Sequence, residues 1–318
     1  MIILIHSSKT MRADAGDNNH LDDYTDPCFI AQASELADFI KSLNQAQISE
    51  IMKVSSALAL DVQNIYANWE PKGKTPAISS FIGDIYSGLQ APSLSNLDIK
   101  FAQEHLRILS GLYGILRPLD LINPYRMEMA YKLDLPQNLQ PSGYTRPVKT
   151  SFSSFNEATA SPQKDKTTFS SPKSKPEESQ LLRKSSKLKG FKIPSLYKFW
   201  GGEIARQISD HKVILNLSSD EYFKAVGKHL KAEQQVITPK FLTLDAGSNQ
   251  PKFMAVHAKI ARGSFANWMI KNKITKVEEL SGFNQIGYKF SPELSLSLEQ
   301  PVFVCQEFGG KGLSLRLS

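Results

Sequence analysis

Residues 107–128 contain the densest group of side chains that could do chemistry. Their arginines and carboxylates are Arg107, Arg117, Asp120, Arg126 and Glu128. Gly111 and Gly114 flank a Leu-Tyr pair, and glycines at a turn leave backbone N–H groups open to a ligand. Such amides bind phosphate near a helix end, and arginines can add bidentate contacts. The segment therefore predicts a site for an anion.

The apolar spacing before Gly111 predicts a helix that stops at Ser110-Gly111, then a Gly-x-x-Gly turn and a second helix. This layout is roughly that of a helix-hairpin-helix, which binds DNA backbone through amides such as those of Gly111 and Gly114. The alternative is structural. In that case Gly111 is a helix C-cap, and Asp120 and Glu128 belong to a buried arginine–carboxylate network.

Lys9 follows the apolar run Met1–Ile5, which predicts a short buried strand. The carboxyl end of a strand is where α/β sheets place ligands. Lys9 could contact phosphate there, or act as a nucleophile if it is desolvated. A solvent-exposed lysine in a polar loop is the alternative.

Asp84 and Tyr86 lie close together in the glycine-punctuated segment Phe81–Gly88. They could act as a general acid and base. An Asp-capped turn explains the same residues without chemistry.

Lys259 and Arg262 are three residues apart, which places them on one face of the helix predicted over Ile260–Asn272, if that helix has begun at Lys259. A basic pair at the start of a helix suits an anion. A solvated basic face is the alternative.

No metal site or cofactor is predicted. The six histidines show no His-x-x-His or His-x-x-x-His spacing, and Cys28 and Cys305 are isolated in the sequence. A carboxylate metal site is left open by these patterns. Gly-x-Gly-x-x-Gly and P-loop motifs are absent from the sequence.

The elements that must position these residues predict an α/β fold, with α+β as the alternative. Helical spacing over residues 30–43 and 48–69 alternates with apolar runs such as Val213–Leu217, which predict strands. The predicted architecture is a single compact domain over residues 1–318, with a mixed sheet surrounded by helices and the helix-hairpin-helix-like element.

Residues 140–192 interrupt that domain with a Ser/Pro/Lys-rich stretch that predicts a disordered insertion. The chain has 38 basic and 31 acidic residues, and the insertion holds 11 and 4 of them. The rest of the chain is therefore neutral, so only a local basic cluster could bind nucleic acid. The insertion is either a solvated surface segment or a basic arm that contacts an anionic partner.

The short apolar start and the two cysteines predict a cytoplasmic protein without a membrane span. No stable protein partner is predicted.

Several motifs together resemble the YaaA family of bacterial proteins, over nearly the whole chain except residues 140–192. The matching segments are Ser8-Lys9-Thr10, residues 81–88, Leu109–Ile122, Pro124–Met129, Tyr197–Gly201, Asn216–Phe223 and Lys259–Gly263. The sequence departs from the family pattern at His6-Ser7, where the family more often has Ser-Pro.

The resemblance implies a cytoplasmic bacterial protein of the peroxide-stress response that helps limit free iron and iron-driven damage. It also implies DNA binding through a basic cleft and a helix-hairpin-helix-like element, which would be the turn at Gly111 and Gly114. No settled catalytic activity belongs to the family. The absence of a His/Cys cluster argues against direct iron sequestration.

Two functions are therefore expected of the chain. In the first, a cleft holds nucleic-acid backbone, with DNA as the partner and without sequence specificity. The cations that would line this cleft are Lys9, Arg117, Arg126, Lys259 and Arg262. In the second, the same cleft is the active site of an enzyme for a small anionic or nucleotide-like substrate. Lys9 would then be its nucleophile or anion clamp, and Asp84, Tyr86, Asp120 and Glu128 are its candidate catalytic residues.

Overall fold

The computed structural model describes residues 1–12, 23–134, 195–245, 247 and 250–312. The insertion predicted at 140–192 lies outside these ranges, so its disorder stays a prediction. No helix within the described ranges has the length and apolar character needed to cross a membrane.

The strands of the described residues are β1 (Ile2–His6), β2 (Thr10–Met11), β3 (Thr75–Pro76), β4 (Phe81–Ile82), β5 (Leu106–Ser110), β6 (Gly114–Leu116), β7 (Leu121–Ile122), β8 (Val213–Asn216), β9 (Gln235–Ile237), β10 (Lys240–Leu244), β11 (Pro251–Lys252), β12 (Tyr288–Phe290) and β13 (Val302–Cys305). The α-helices are α1 (Ile30–Lys41), α2 (Gln45–Met52), α3 (Ser56–Ala67), α4 (Ala77–Ser80), α5 (Asp84–Leu89), α6 (Asn96–His105), α7 (Leu196–Trp200), α8 (Glu203–Arg206), α9 (Asp220–Phe223) and α10 (Ala255–Asn272).

The central sheet has the strand order β6-β5-β1-β8-β9 among the described residues. Strand β1 pairs in parallel with β5 and with β8, and β8 pairs in parallel with β9. Only β6 is antiparallel, to β5. Strand β1 can take the central position because Ile2 to Ile5 are all buried, as expected of a parallel strand covered on both faces.

A second mixed sheet has the order β11-β10-β13-β12 and packs its aromatic face against α10. Phe241, Phe265, Phe283 and Phe303 form a buried cluster there, with ring centroids 4.7–6.2 Å apart. This packing anchors the long helix α10 and thereby fixes the direction of its basic face. The mixed sheets with surrounding helices confirm the predicted α/β class.

Strands from both sides of residues 140–192 share the central sheet, since β5 and β6 precede the insertion and β8 and β9 follow it. The compact unit that contains them comprises Met1–Leu135 and Ile193–Ser318.

The predicted helix-hairpin-helix is wrong. Helix α6 ends at His105, and Leu106 to Ser110 form β5, which turns back through β6 as a β-hairpin. Leu106 and Leu109 have helical spacing, but Leu106, Ile108 and Leu109 are fully buried because β5 is enclosed beside β1. Long-range strand pairing therefore overrides the local pattern.

Gly111 and Gly114 are buried at the hairpin turn and do not offer amides to a ligand. A side chain at Gly114 would meet Trp200 and Phe29, and its φ of +68° favours glycine. A Cβ at Gly111 would lie 2.4 Å from the Met127 carbonyl oxygen. Both glycines serve close packing, so the predicted binding role of this turn is not supported by its position.

Helices α5 and α10 cross at very short distance through two glycines. A Cβ at Gly88 would lie 2.0 Å from the Ile260 carbonyl oxygen, and one at Gly263 would lie 1.8 Å from that of Ile85. Backbone therefore packs directly on backbone at this crossing. The contact holds the first half of α10, with Lys259 and Arg262, close to the end of β1.

We expect the substitution Gly88→Ala to lower the free energy of unfolding by about 1–3 kcal/mol or more, because backbone must move to admit the methyl group. Urea denaturation followed by circular dichroism measures the change. Gly202→Ala is the matched control, since its Cβ would meet nothing nearer than 3.7 Å. Equal stability of the two variants would show that the crossing is not this tight.

Candidate functional site

The carboxyl ends of β1, β5 and β8 meet at one edge of the central sheet. There the chain places His6 at the end of β1 and Ser7 after it, Ser110 at the end of β5, and Ser218 after β8. From β1 the chain continues to β5 on one side of the sheet and later to β8 on the other side. In an open parallel sheet, ligands bind at the point where the strand order changes direction in this way. We call the surface at this edge the edge site and define it by His6, Ser7, Lys9, Arg126, Glu128, Tyr222, Lys259 and Arg262.

A hydroxyl network forms the floor of the edge site. Ser7 Oγ donates to Tyr222 Oη at 3.2 Å, and the hydroxyls of Ser110 and Tyr125 lie 2.6 Å apart. Burial raises the pKa of Tyr222 well above its ordinary value, and it does the same for Tyr125. These phenols therefore stay protonated at neutral pH and can act as hydrogen-bond donors.

Lys9 and Glu128 form an ion pair, with 2.8 Å between Nζ and Oε2. The Lys9 side chain is 60% exposed, and Tyr131 donates to the other Glu128 oxygen at 2.8 Å. Lys9 is exposed and already paired with a carboxylate, so the geometry supports an anion contact for Lys9 over a desolvated nucleophile.

A second acidic group, Glu221, lies close by and accepts the Ala130 amide at 3.1 Å. Burial raises the pKa of Glu221, and the nearby Glu128 charge raises it further.

Arg126 is half-buried, and its Nη1 donates to the Lys9 carbonyl oxygen at 3.4 Å. Its Nε is buried and has no hydrogen-bond partner within the described ranges. Buried polar atoms are nearly always satisfied in proteins. The Arg126 guanidinium therefore retains capacity to donate a further hydrogen bond.

Lys259 and Arg262 lie one turn apart on α10, which begins at Ala255 and so confirms that they share a helical face. Lys259 is exposed and Arg262 half-buried. Burial lowers the pKa of Arg262, and the Asp220 charge acts in the opposite direction. This helix lies next to β1, and both cations are near enough to His6 for their charges to lower its pKa.

His6 is the principal residue that the sequence reasoning missed. Its ring stacks on that of Tyr222 at 4.7 Å, and Nδ1 lies 2.8 Å from the Ser7 carbonyl oxygen. Burial lowers the pKa of His6 to about 4, and the charges of Arg262 and Lys259 add to this effect. His6 is therefore neutral at physiological pH. The signal available in the sequence is the position of His6 directly after the apolar run Met1–Ile5.

Arg117 and Asp120 do not join the edge site. Strand β6 is antiparallel to β5, so Arg117 follows it at the opposite, amino-terminal edge of the sheet. There it pairs with Asp120, which is 1% exposed and also accepts from Thr25 at 2.6 Å. Burial raises the pKa of Asp120, and the hydrogen bonds from Thr25 and Arg117 oppose that shift. The structural alternative of a buried arginine–carboxylate network is correct for this pair.

Tyr86 contacts the end of β1, whereas Asp84 is buried at the start of α5. Tyr86 Oη donates to the His6 carbonyl oxygen at 3.0 Å, and burial raises its pKa well above the ordinary value. Tyr86 is therefore a donor that fixes the end of β1 and not a base. Asp84 is buried in the first turn of α5, whose N-cap is Gly83.

Comparison with known proteins assigns a family. A profile described as "Peroxide stress protein YaaA" matches residues 1–149 and 181–294. A UPF0246 protein of Salinispora tropica is 38% identical over 318 residues, which cover 99% of this chain and 98% of the relative. A UPF0246 protein of a Marinomonas species is 32% identical over 315 residues, with coverages of 96% and 98%.

The state of His6 predicts a pH dependence of stability. Its pKa is about 4 in the folded chain against 6.5 when unfolded. The contribution of His6 to the free energy of unfolding is therefore fully present above pH 6.5. It is lost as the pH falls to about 4, because in this range only the unfolded chain takes up the proton. For this half-buried group we expect a loss of about 1–3 kcal/mol.

Urea unfolding between pH 7 and pH 4 measures this loss in the native chain and in His6→Gln, whose side chain does not titrate. The stability difference between the two should shrink as the pH falls. A difference that is constant over this range would contradict the assigned state of His6.

Proposed function

The chain belongs to the family of the peroxide stress protein YaaA, and on that premise we propose that it acts in the peroxide-stress response by binding nucleic-acid backbone at the edge site. DNA is the partner that this proposal names. The binding is independent of sequence, because cations that contact phosphates do not read bases.

One observation carries the proposal: cations from three separate segments converge at the carboxyl edge of a parallel sheet. These are Lys9 after β1, Arg126 beyond the hairpin, and Lys259 with Arg262 on α10. The chain outside residues 140–192 has no excess of positive charge. A local convergence of cations is thus the feature that would attract a polyanion.

The state of these cations also supports a phosphate ligand. Two are exposed and two are half-buried, so a ligand could approach from solvent and reach Arg126 and Arg262 at the base. The Arg126 guanidinium is only half-buried and keeps donor capacity beyond its bond to the Lys9 carbonyl oxygen, so a phosphate oxygen could accept from it. The glycine turn and Arg117 have no part in this proposal.

The proposal includes the limiting of iron-driven damage as a consequence of binding. Radicals that iron and peroxide generate attack the sugars of DNA. A protein that covers the backbone would shield those sugars, without itself holding the iron.

We expect Lys259→Gln to weaken binding to duplex DNA equally for unrelated sequences, and to reduce the slope of log affinity against log salt by about 1. Fluorescence anisotropy across a salt series measures both quantities. Lys271→Gln is the matched control, since Lys271 is an exposed lysine of the last turn of α10. Equal slopes for the two variants would exclude Lys259 as a phosphate contact.

The insertion requires its own comparison, because it holds all of the excess positive charge of the chain. A full-length variant with Arg183, Lys184, Lys187 and Lys189 replaced by glutamine tests it in the same salt series. Retained binding by this variant supports the edge site. If the insertion variant loses binding while Lys259→Gln binds as well as the native chain, the contact belongs to the insertion.

A second candidate function is an enzyme acting on a small anionic or nucleotide-like substrate at the same edge site. The observation that favours it is the enclosed hydroxyl network of Ser7, Tyr222, Ser110 and Tyr125 beside a neutral histidine. Such groups suit a small ligand more than a long strand. Displacement of labelled DNA by submillimolar inorganic phosphate or mononucleotide would favour this function, and no displacement would favour the strand.

A further inference from the structure

His6 presents a hydrogen-bond acceptor to the edge site. Its Nδ1 lies 2.8 Å from the Ser7 carbonyl oxygen, and a carbonyl oxygen can only accept. Nδ1 therefore carries the proton. In a neutral imidazole this leaves a lone pair on Nε2. The low pKa of His6, about 4, agrees with the neutral form.

The ring that carries this acceptor is held by Tyr222, which stacks on it with an interplanar angle of 12°, and by the Nδ1 hydrogen bond to the Ser7 carbonyl. Tyr86 fixes the backbone below the ring, because it donates to the His6 carbonyl oxygen. No group in the described ranges donates to Nε2. A preorganised acceptor without a protein partner is available to a ligand.

The surroundings of Nε2 restrict what that ligand can be. Lys259 and Arg262 are close enough for their charges to lower the pKa of His6, so they would draw an anion to its side. An anionic oxygen alone cannot satisfy a lone pair, because both are acceptors. The matching ligand carries an anion and, beside it, a hydrogen-bond donor.

We propose that the edge site recognises ribose, with His6 Nε2 accepting the 2′-hydroxyl of a strand whose phosphate lies on Lys259 and Arg262. In RNA the 2′-hydroxyl stands next to the 3′-phosphate of the same nucleotide, and DNA has no donor there. The inference rests on the proposed backbone binding and goes beyond it: DNA still binds through its phosphates, and a single strand of RNA binds more tightly because it adds the 2′-hydroxyl.

Three single-stranded oligonucleotides of one sequence test the inference with the full-length protein. They are RNA, 2′-O-methyl RNA and DNA. The methylated strand keeps the 2′ oxygen and the charge but has no hydrogen to donate. We expect the native chain to bind RNA about fivefold to tenfold more tightly than the methylated strand, as one hydrogen bond would give. DNA should bind as weakly as the methylated strand.

Two substitutions separate the acceptor from the rest of the ring. His6→Gln places an amide oxygen near the position of Nε2 and should keep the preference for RNA. His6→Asn reaches only the position of Nδ1 and should bind the three strands equally. Unchanged circular dichroism of both variants shows that they fold.

The possible outcomes separate the two proposals. Equal binding of the three strands by the native chain would overturn the inference and leave backbone binding intact, and this comparison needs no variant. A preference for RNA that persists in His6→Asn would also overturn the role of His6. Failure to bind any of the three strands would overturn the inference, and it would contradict the proposed function as well if the duplex DNA of the salt series also failed to bind.

Discussion

Strand β1 pairs in parallel with β5 on one side and with β8 on the other. Parallel pairing brings the carboxyl ends of all three strands to one edge, although β1 and β8 are more than 200 residues apart in sequence. His6 and Ser7 extend from the central strand at that edge, and Tyr222 reaches them from the chain that follows β8. Without these two ladders, neither the hydroxyl network nor the stacked histidine would exist.

The cations of the edge site depend on a second constraint, the close crossing of α5 and α10. Gly88 and Gly263 let the two backbones touch, so the basic face of α10 lies next to the end of β1. Tyr86 on α5 then ties the same helix pair to the His6 carbonyl. Burial is the main cause of the low pKa of His6, and the packing between the two glycines brings in Arg262 and Lys259, whose charges lower it further. An anion at this point would meet His6 and Arg262 together.

The sequence predicts the parts of the fold that are local. The apolar run at the amino terminus and the helical spacing before Asn272 indicate β1 and α10, and the pair Lys259 and Arg262 follows from that spacing. Strand β5 was predicted as helix because its leucines fit both periods, and only pairing with β1 decides between them. The position of Arg117 at the opposite edge of the sheet also depends on this pairing, because β6 returns antiparallel to β5. His6 has no spacing signal, since its partner Tyr222 is distant in the chain.

The central claim is that the edge site, and not the basic insertion, contacts nucleic-acid backbone. Acetylation of lysines in the full-length protein, with and without a bound oligonucleotide, tests it most directly by mass spectrometry. The account predicts that Lys9 and Lys259 become protected on binding, while Lys271 and the lysines between 183 and 189 react as before. Protection confined to the insertion, with Lys9 and Lys259 unchanged, would contradict it.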